Sequence, residues 1–204
     1  MKRNIAVVVL VLANLGLGTL LASAQPADDT TAPSYDMKGQ ALVDLDAVQK
    51  KFIQLASAVP DDKLTWRPSP DARSFAEVFL HVAGERYGIL HLMGADTPAG
   101  LDLKNFDKST TDRAKILEDL NNSWDFTQKT IQAMPNAEFA KLLPKLGPQA
   151  NAGDVVYILV ADAHEHLGQA IAYARENGIV PPWTVAAQKK AAEKKGAEGK
   201  EQKN

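Results

Sequence analysis

The residues of this sequence best suited to chemistry are an aspartate and a histidine four positions apart, Asp162 and His166. Both fall on the apolar stripe of a predicted amphipathic helix, where a polar side chain without a partner costs free energy. Side chains four residues apart emerge on one face of a helix, so the two could bind one metal ion. We therefore interpret them as part of a metal site.

A third ligand is expected from a distant part of the chain. His81 also lies on an apolar helix face, and it could either complete the site or be a hydrogen-bonded core histidine. His164 is two residues from His166, which places it about 200° around the helix and away from the stripe. Three ligands, His81, Asp162 and His166, would leave positions open for water or substrate, as in catalytic metal sites.

The available ligand atoms limit the choice of metal. The chain contains no cysteine, so only nitrogen and oxygen ligands remain, and we expect a divalent ion, either zinc or nickel, with iron or manganese as alternatives. Such an ion could lower the pKa of a bound water or thiol. Glu85 follows His81 by four residues and could be the general base, a hydrogen-bond acceptor for that histidine, or an outward-facing carboxylate.

Four predicted helices must position these residues. Apolar residues recur every three or four positions over 45–59, 75–92, 117–134 and 155–173, and no alternating strand pattern competes with them. Ser74 and Glu77 form a predicted capping box before the second helix, and the polar cluster 109–111 offers caps for the third. Gly178 is predicted to end the fourth helix in a left-handed conformation.

The predicted fold class is all-α, a four-helix bundle with up-down-down-up topology and a long crossover between the second and third helices. Residues 94–107 could span about 45 Å, which exceeds the roughly 30 Å of a 20-residue helix. His81 lies about 10 Å from the start of its helix, and His166 about 16 Å from the end of its own. These depths match when the second and fourth helices are antiparallel.

The chain divides into four predicted segments. Residues 1–24 resemble a signal peptide, with Lys2 and Arg3 before an apolar stretch and small residues at 22–24. Residues 25–35 are expected to be a flexible leader, 36–185 the bundle, and 186–204 a disordered tail rich in Lys, Glu and Ala, either solvated chain or a frayed helix. We expect a periplasmic or secreted protein with no stable membrane anchor after processing.

Charge bears on the expected partners. Without Lys2 and Arg3 the formal charge changes from −2 to −4, and the six lysines and three glutamates of the tail leave −7 on residues 25–185. Such an acidic body is a poor binder of nucleic acid. The expected partners are a small-molecule substrate and, in a homodimer, a second copy of the chain.

Two stretches resemble DinB-like proteins. The residues 59–70 and 74–83 are similar to the start of the second helix in that family, and 166–169 with 173–182 are similar to its last helix. The resemblance implies a four-helix bundle with a crossover, often with a divalent metal bound by three histidines. His81 and His166 match two of these ligands, whereas Asp162 stands where the third is usually histidine.

The same resemblance implies an activity class, because members with assigned activities include thiol-dependent S-transferases and an isomerase. We predict an exported metal-dependent enzyme, either a hydrolase or a thiol-dependent transferase, of unknown substrate. Export favours hydrolysis, since the resemblance implies thiol cosubstrates that are mainly cytosolic. The alternative is a non-catalytic helical module that binds a metal or another ligand.

Overall fold

A computed structural model describes residues 36–201, so the predicted signal peptide 1–24 and leader 25–35 lie outside the described residues. The bundle helices are α1 (Met37–Ala58), α2 (Phe75–His91), α3 (Arg113–Ala133) and α4 (Ala152–Glu176), followed by α5 (Pro182–Glu201). Short helical turns lie at Asp61–Lys63, Phe106–Lys108 and Asn136–Phe139. The architecture confirms the predicted all-α four-helix bundle.

Local sequence explains where the helices begin and end. The predicted capping box of α2 is present: Ser74 Oγ accepts a hydrogen bond from the Glu77 N–H, and Glu77 Oε2 accepts one from the Ser74 N–H. Asn151 and Asp154 form an equivalent box at α4. Gly178 has φ +70° and ends α4 as predicted, because glycine adopts this conformation without steric cost.

The start of α3 differs from the prediction. Its N-cap is Asp112, whose Oδ1 accepts a hydrogen bond from the Ala114 N–H, and not a residue of the cluster 109–111. Thr110 instead accepts a hydrogen bond from the Asp112 N–H through its hydroxyl oxygen. The cluster therefore orders the turn before the helix, while the more acidic side chain takes the capping position.

Contacts between helix ends establish the topology. Lys38 at the start of α1 donates to the Met134 carbonyl just after α3, whereas Arg113 at the start of α3 donates to the Ser57 carbonyl near the end of α1. Helices α1 and α3 are therefore antiparallel. Phe75 at the start of α2 packs against Tyr173 near the end of α4, with ring centroids 5.6 Å apart, so this pair is antiparallel too.

The remaining helix pairs are parallel. A Cβ atom added at Gly153, near the start of α4, would lie 3.5 Å from Met37 Sδ at the start of α1, and further along Asp44 of α1 pairs with His164 of α4. Tyr87 in the second half of α2 packs on Phe126 in the second half of α3. Residues 92–112 must therefore return along the bundle before α3 begins, with Phe106 packed against Tyr87 on the way. This arrangement is the predicted up-down-down-up topology with a crossover.

The core lies along the axis of the bundle and consists of the predicted stripes. Buried residues of the four stripes include Leu45, Phe52, Val78, Leu120, Ile131, Val155, Leu159 and Ala170. Trp66, from the α1–α2 connection, packs on Phe75 of α2 and Tyr173 of α4, where the start of α2 meets the end of α4. The aromatic contacts hold the ends of α2 and α4 together and so fix the relative depth of the side chains along them.

The C-terminal segment differs from the disordered tail expected over 186–204, because α5 includes residues up to Glu201. Alanine, lysine and glutamate all have high helix propensity, and Pro182 suits the first position of a helix. Trp183 packs against the core and lies 5.8 Å from the Lys51 ammonium, whereas residues 185–195 are exposed. The segment is thus helical because of its own sequence rather than because of burial.

Among the helices described here, none combines the length and apolar character that crossing a lipid bilayer requires.

Candidate metal centre

Helix α2 places His81 on its side facing α4. The Ser74 cap fixes the start of the helix two turns earlier, and the flanking Leu80 and Val82 are fully buried. The His81 side chain is largely buried, with 16% of its surface exposed. Its ring is therefore held by packing from both sides.

Helix α4 supplies the other two candidate ligands from successive turns. His166 Nε2 lies 3.3 Å from Asp162 Oδ1, and the two side chains are only 11% and 18% exposed. The His166 ring stands edge-on to the His81 ring, with centroids 4.6 Å apart. One nitrogen or oxygen atom from each of the three residues lies within 4.8 Å of the others. The tertiary structure thus brings together His81, Asp162 and His166.

The orientation of His166 is set by neighbours on its own helix. His166 Nδ1 lies 2.9 Å from Gln169 Oε1, and Gln169 Nε2 donates to the Tyr173 hydroxyl at the same distance. The amide oxygen can only accept, so this pattern assigns the proton to Nδ1. The Nε2 atom is therefore the one directed toward Asp162 and the space beside His81, as a metal-ligating histidine with an outer hydrogen bond would be.

The two histidines have opposite electrostatic environments. Burial lowers the pKa of His81 to about 4, and the positive charge of Arg73 acts in the same direction. The hydrogen bond to Asp162 raises the pKa of His166 above its ordinary value, against the effect of burial. At neutral pH His81 is therefore neutral and able to bind a metal, whereas His166 holds a proton more readily than an ordinary histidine, on the side where a cation would bind.

These residues fit a divalent metal ion. Two imidazole nitrogens and one carboxylate oxygen converge in a partly buried space, and imidazole and carboxylate are common ligands of such ions. Asp162 faces the lone-pair nitrogen of a neutral His166, an arrangement that is favourable only with a positive charge between or on them. Three ligands would leave coordination positions for water or substrate.

Glu85 lies at the edge of this group and does not act as the hydrogen-bond acceptor considered for His81. Its Oε1 is 3.8 Å from His81 Nδ1, which exceeds hydrogen-bond distance. Burial raises the pKa of the Glu85 carboxyl, and the negative charge of Asp162 adds to this shift. Its side chain is 40% exposed and lines a cleft beside the three residues. This position leaves the general-base and outward-facing interpretations open.

His164 lies outside the group, as helical phase predicts. Its side chain is 51% exposed, and its Nε2 lies 2.7 Å from Asp44 Oδ2 of α1. His91 also contacts none of the three candidate ligands in the described residues. Its Nδ1 lies 3.1 Å from the Ala95 carbonyl oxygen, after the end of α2. His164 and His166 are therefore close in sequence, but their rings point to different partners.

Two arginines near the site are not apparent from the motif. Arg86 is fully buried; its Nη1 donates to the Leu120 carbonyl and Ser123 hydroxyl oxygen, while Nη2 has no hydrogen-bond partner. Burial lowers its pKa to about 10. Arg86 follows Val82 by four residues and therefore lies on the apolar stripe of α2, which could have indicated from the sequence that it is buried. Arg73 gave no such signal, because it precedes α2 in the connection.

Comparison with known proteins supports the fold. No curated protein matches the sequence. A conserved protein from Enterococcus faecalis has a similar structure, with 16% identity, a TM-score of 0.58, and coverage of 70% of this chain and 97% of that one. YfiT from Bacillus subtilis, described as a probable metal-dependent hydrolase with an unusual four-helix bundle topology, is 17% identical with a TM-score of 0.57, over 79% and 97% of the two chains.

At these identities the two structures establish a shared fold. The sequence itself provides the family assignment, because residues 44–170 match the profile of the DinB superfamily. This range includes most of α1, all of α2 and α3, and α4 as far as Ala170. That match covers more than half of the chain, and the protein therefore belongs to the DinB superfamily.

Proposed function

We propose that this protein is an exported metal-dependent enzyme that uses His81, Asp162 and His166 as ligands of a divalent metal ion. Zinc or nickel suits the ligand set, with iron or manganese as alternatives. The observation that carries the proposal is the convergence of the three side chains from two helices to within 4.8 Å. The description of the structurally similar YfiT as a probable metal-dependent hydrolase supports it.

The proposed reaction is hydrolysis of a small molecule, with thiol-dependent transfer as the second possibility. When bound, a divalent ion at such a site lowers the pKa of a water or thiol, or polarises a carbonyl. Glu85 lines the adjoining cleft, and its raised pKa makes its carboxylate a stronger base than that of an exposed glutamate, as suits a general base. Gln169 holds the His166 ring in the orientation that directs Nε2 toward Asp162, where the two residues would hold the ion together with His81.

Asp162 is the residue that favours the second candidate function, a non-catalytic module that binds a metal or another ligand. It replaces the histidine that the family resemblance implies at this position. The carboxylate brings one negative charge to the ligand set, and an ion bound with it is a weaker electrophile than one bound by three neutral histidines. The bundle and its cleft could thus be retained for binding alone.

Metal content provides the primary test. The full chain is expressed with its predicted signal peptide, residues 1–24. The exported form is purified without a chelating tag, and bound metals are measured by mass spectrometry. We expect one divalent ion per chain, and loss of that ion in His166→Ala and Asp162→Ala. His164→Ala is the matched control, because His164 is an exposed histidine on the same helix.

Absence of bound metal at neutral pH would contradict the proposal as stated. A metal that is retained in Asp162→Ala but lost in His164→Ala would show that His164, and not Asp162, is the third ligand. Recovery of the unprocessed chain from the cytoplasm alone would contradict the proposed periplasmic or secreted location.

A further inference from the structure

A cleft of about 230 Å³ opens beside the candidate metal centre, between α2 and the crossover segment. His81 and Glu85 form part of its wall, and Phe106 and Asp107 of the crossover form the opposite side. A molecule in this cleft would therefore contact both the candidate ligand His81 and the candidate base. The cleft is the natural place for a substrate if the centre is catalytic.

Two glycines of α2 keep this cleft open. Gly84 and Gly88 lie on the same helix face as His81 and Glu85, since the four positions are separated by three or four residues. A Cβ atom added at Gly84 would come within 3.3 Å of the Phe106 ring, whereas one added at Gly88 would meet no atom within 4 Å. Gly84 therefore permits the close approach of the crossover, and Gly88 borders empty space.

Arg73 contributes a positive charge with a buried donor that lacks a hydrogen bond. Its Nε forms an ion pair with Asp107 Oδ2 at 3.6 Å but has no hydrogen-bond partner, although the side chain as a whole is 38% exposed. The guanidinium lowers the pKa of His81, so its charge acts on the centre despite Asp107. A buried donor of this kind is expected to have an acceptor.

Lys104 contributes a second cation from the crossover. Lys104 is an exposed residue whose backbone N–H donates to Asp102, and within residues 36–201 its ammonium group forms no ion pair or hydrogen bond. Arg73 and Lys104 thus approach the same cleft from different segments of the chain, and both retain donors for an added oxygen atom. Such an arrangement suits an anionic group rather than a neutral one.

We propose that this cleft binds a substrate carrying a carboxylate, with Arg73 and Lys104 holding that carboxylate while the rest of the molecule reaches His81 and Glu85. The inference deepens the proposed function and rests on it. The cleft wall carries two cations and two carboxylates, Glu85 and Asp107. The formal charges of these four side chains cancel, so the preference for an anion rests on the free donors of Arg73 and Lys104 rather than on net charge. A doubly charged phosphate would be repelled more strongly by Glu85 and Asp107 than a singly charged carboxylate.

Benzoate and benzamide test the charge preference, because they have nearly the same shape and differ in charge. Their binding to zinc-loaded and metal-free protein is measured by ligand-observed NMR. We expect benzoate to bind about tenfold more tightly than benzamide in both forms, as a charge-assisted hydrogen bond would provide. Arg73→Gln and Lys104→Gln should each reduce this preference several-fold. Lys50→Gln is the control, since Lys50 is an exposed lysine of α1 paired with Asp46.

Occupancy of the cleft itself is tested with Gly88→Leu, which adds a side chain into the open space and favours the helix. We expect it to weaken both ligands without changing the circular dichroism spectrum or zinc content. Equal affinity for benzoate and benzamide, or a preference that survives Arg73→Gln with Lys104→Gln, would overturn the inference. Tighter binding of phenyl phosphate than of benzoate would overturn the assignment to a carboxylate.

The two proposals fail in different ways. Zinc binding without a preference for benzoate would overturn the carboxylate site and leave the metal centre intact. A benzoate preference that depends on Arg73 and Lys104, in a protein that binds no metal, would overturn the proposed function and leave the anion-binding cleft.

Discussion

The two histidines of the candidate centre are neighbours in space but differ in how readily they take up a proton. Burial and Arg73 lower the pKa of His81 to about 4, whereas the hydrogen bond to Asp162 raises the pKa of His166. A metal ion must displace any proton held by its ligands. The protonation of His166, rather than that of His81, should therefore govern how metal binding depends on pH.

This difference predicts the number of protons released on metal binding. At pH 6 His166 is mostly protonated because its pKa is raised, and His81 is neutral because its pKa is lowered, so zinc should release about one proton. Zinc affinity should fall as the pH falls from 8 to 6. Calorimetric titration in buffers of different ionisation enthalpy measures the release. A release close to zero, or of about two protons, would contradict the assignment.

Glu85 is the residue whose replacement should separate binding from chemistry. In Glu85→Gln, zinc content should be unchanged, but hydrolysis of p-nitrophenyl acetate should slow by roughly 100-fold or more, because the amide cannot accept a proton. Glu118→Gln is the control, as Glu118 is exposed on α3 and pairs with Lys115. An unchanged rate in fully metal-loaded Glu85→Gln would leave Glu85 as a carboxylate of the cleft wall with no catalytic role.

At the scale of the helices, the position of the site depends on how each helix begins and what it packs against. The capping box at Ser74 fixes the register of α2, and the box at Asn151 does the same for α4. Between the helices, Gln49 of α1 and Arg86 of α2 both donate to the Leu120 carbonyl of α3. This buried polar contact ties three helices to one backbone atom and so limits their sliding.

The cap of α2 can be tested by a single substitution. Ser74→Ala should lower the free energy of unfolding by about 1 kcal/mol, because the Glu77 N–H loses its acceptor at a nearly buried position. Urea unfolding followed by circular dichroism measures the change. Ser57→Ala, in an exposed serine of α1, should have a smaller effect. Equal stability of the Ser74→Ala variant and the parent would show that the cap contributes little.

At the scale of the whole molecule, the bundle and the C-terminal helix contribute differently to stability. The four bundle helices share one apolar core, to which Trp183 of α5 adds a partly buried ring. Residues 185–195 are exposed, so most of the described surface of α5 beyond Trp183 faces solvent. The metal centre and its cleft are built entirely from α2, α4 and the segments that flank α2.

Removal of residues 186–204 should therefore change the melting temperature by no more than about 2 °C, since exposed positions contribute little to unfolding free energy. Zinc content should be unchanged. Trp183→Ala in the full chain should lower the melting temperature more, because it removes an aromatic ring packed on the core. Thermal unfolding by circular dichroism measures both variants. A large destabilisation by the truncation alone would show that α5 is a structural part of the bundle.

The periodicity of apolar residues was sufficient to predict four helices and the phase that separates His164 from the pair Asp162 and His166. The residue types at Ser74 and Gly178 predicted two of the helix caps. These properties depend on neighbours within a few residues, which the sequence displays directly. The matched depths of His81 and His166 also predicted the antiparallel arrangement of α2 and α4. Residues 186–201 were expected to be a disordered tail, with a frayed helix as the alternative, and they form a helix, as the high helix propensity of their composition favours.

Only the tertiary structure placed the remaining parts of the site. Arg73 and Lys104 lie before α2 and in the crossover, and loop residues carry no periodic signal that relates them to His81. The pKa shifts of the two histidines likewise depend on burial and on charges brought from other segments. The sequence by itself determined the helices and their faces, because these are local properties. The packing of the helices and the crossover decided the cleft, because distances between remote residues depend on how the whole chain is folded.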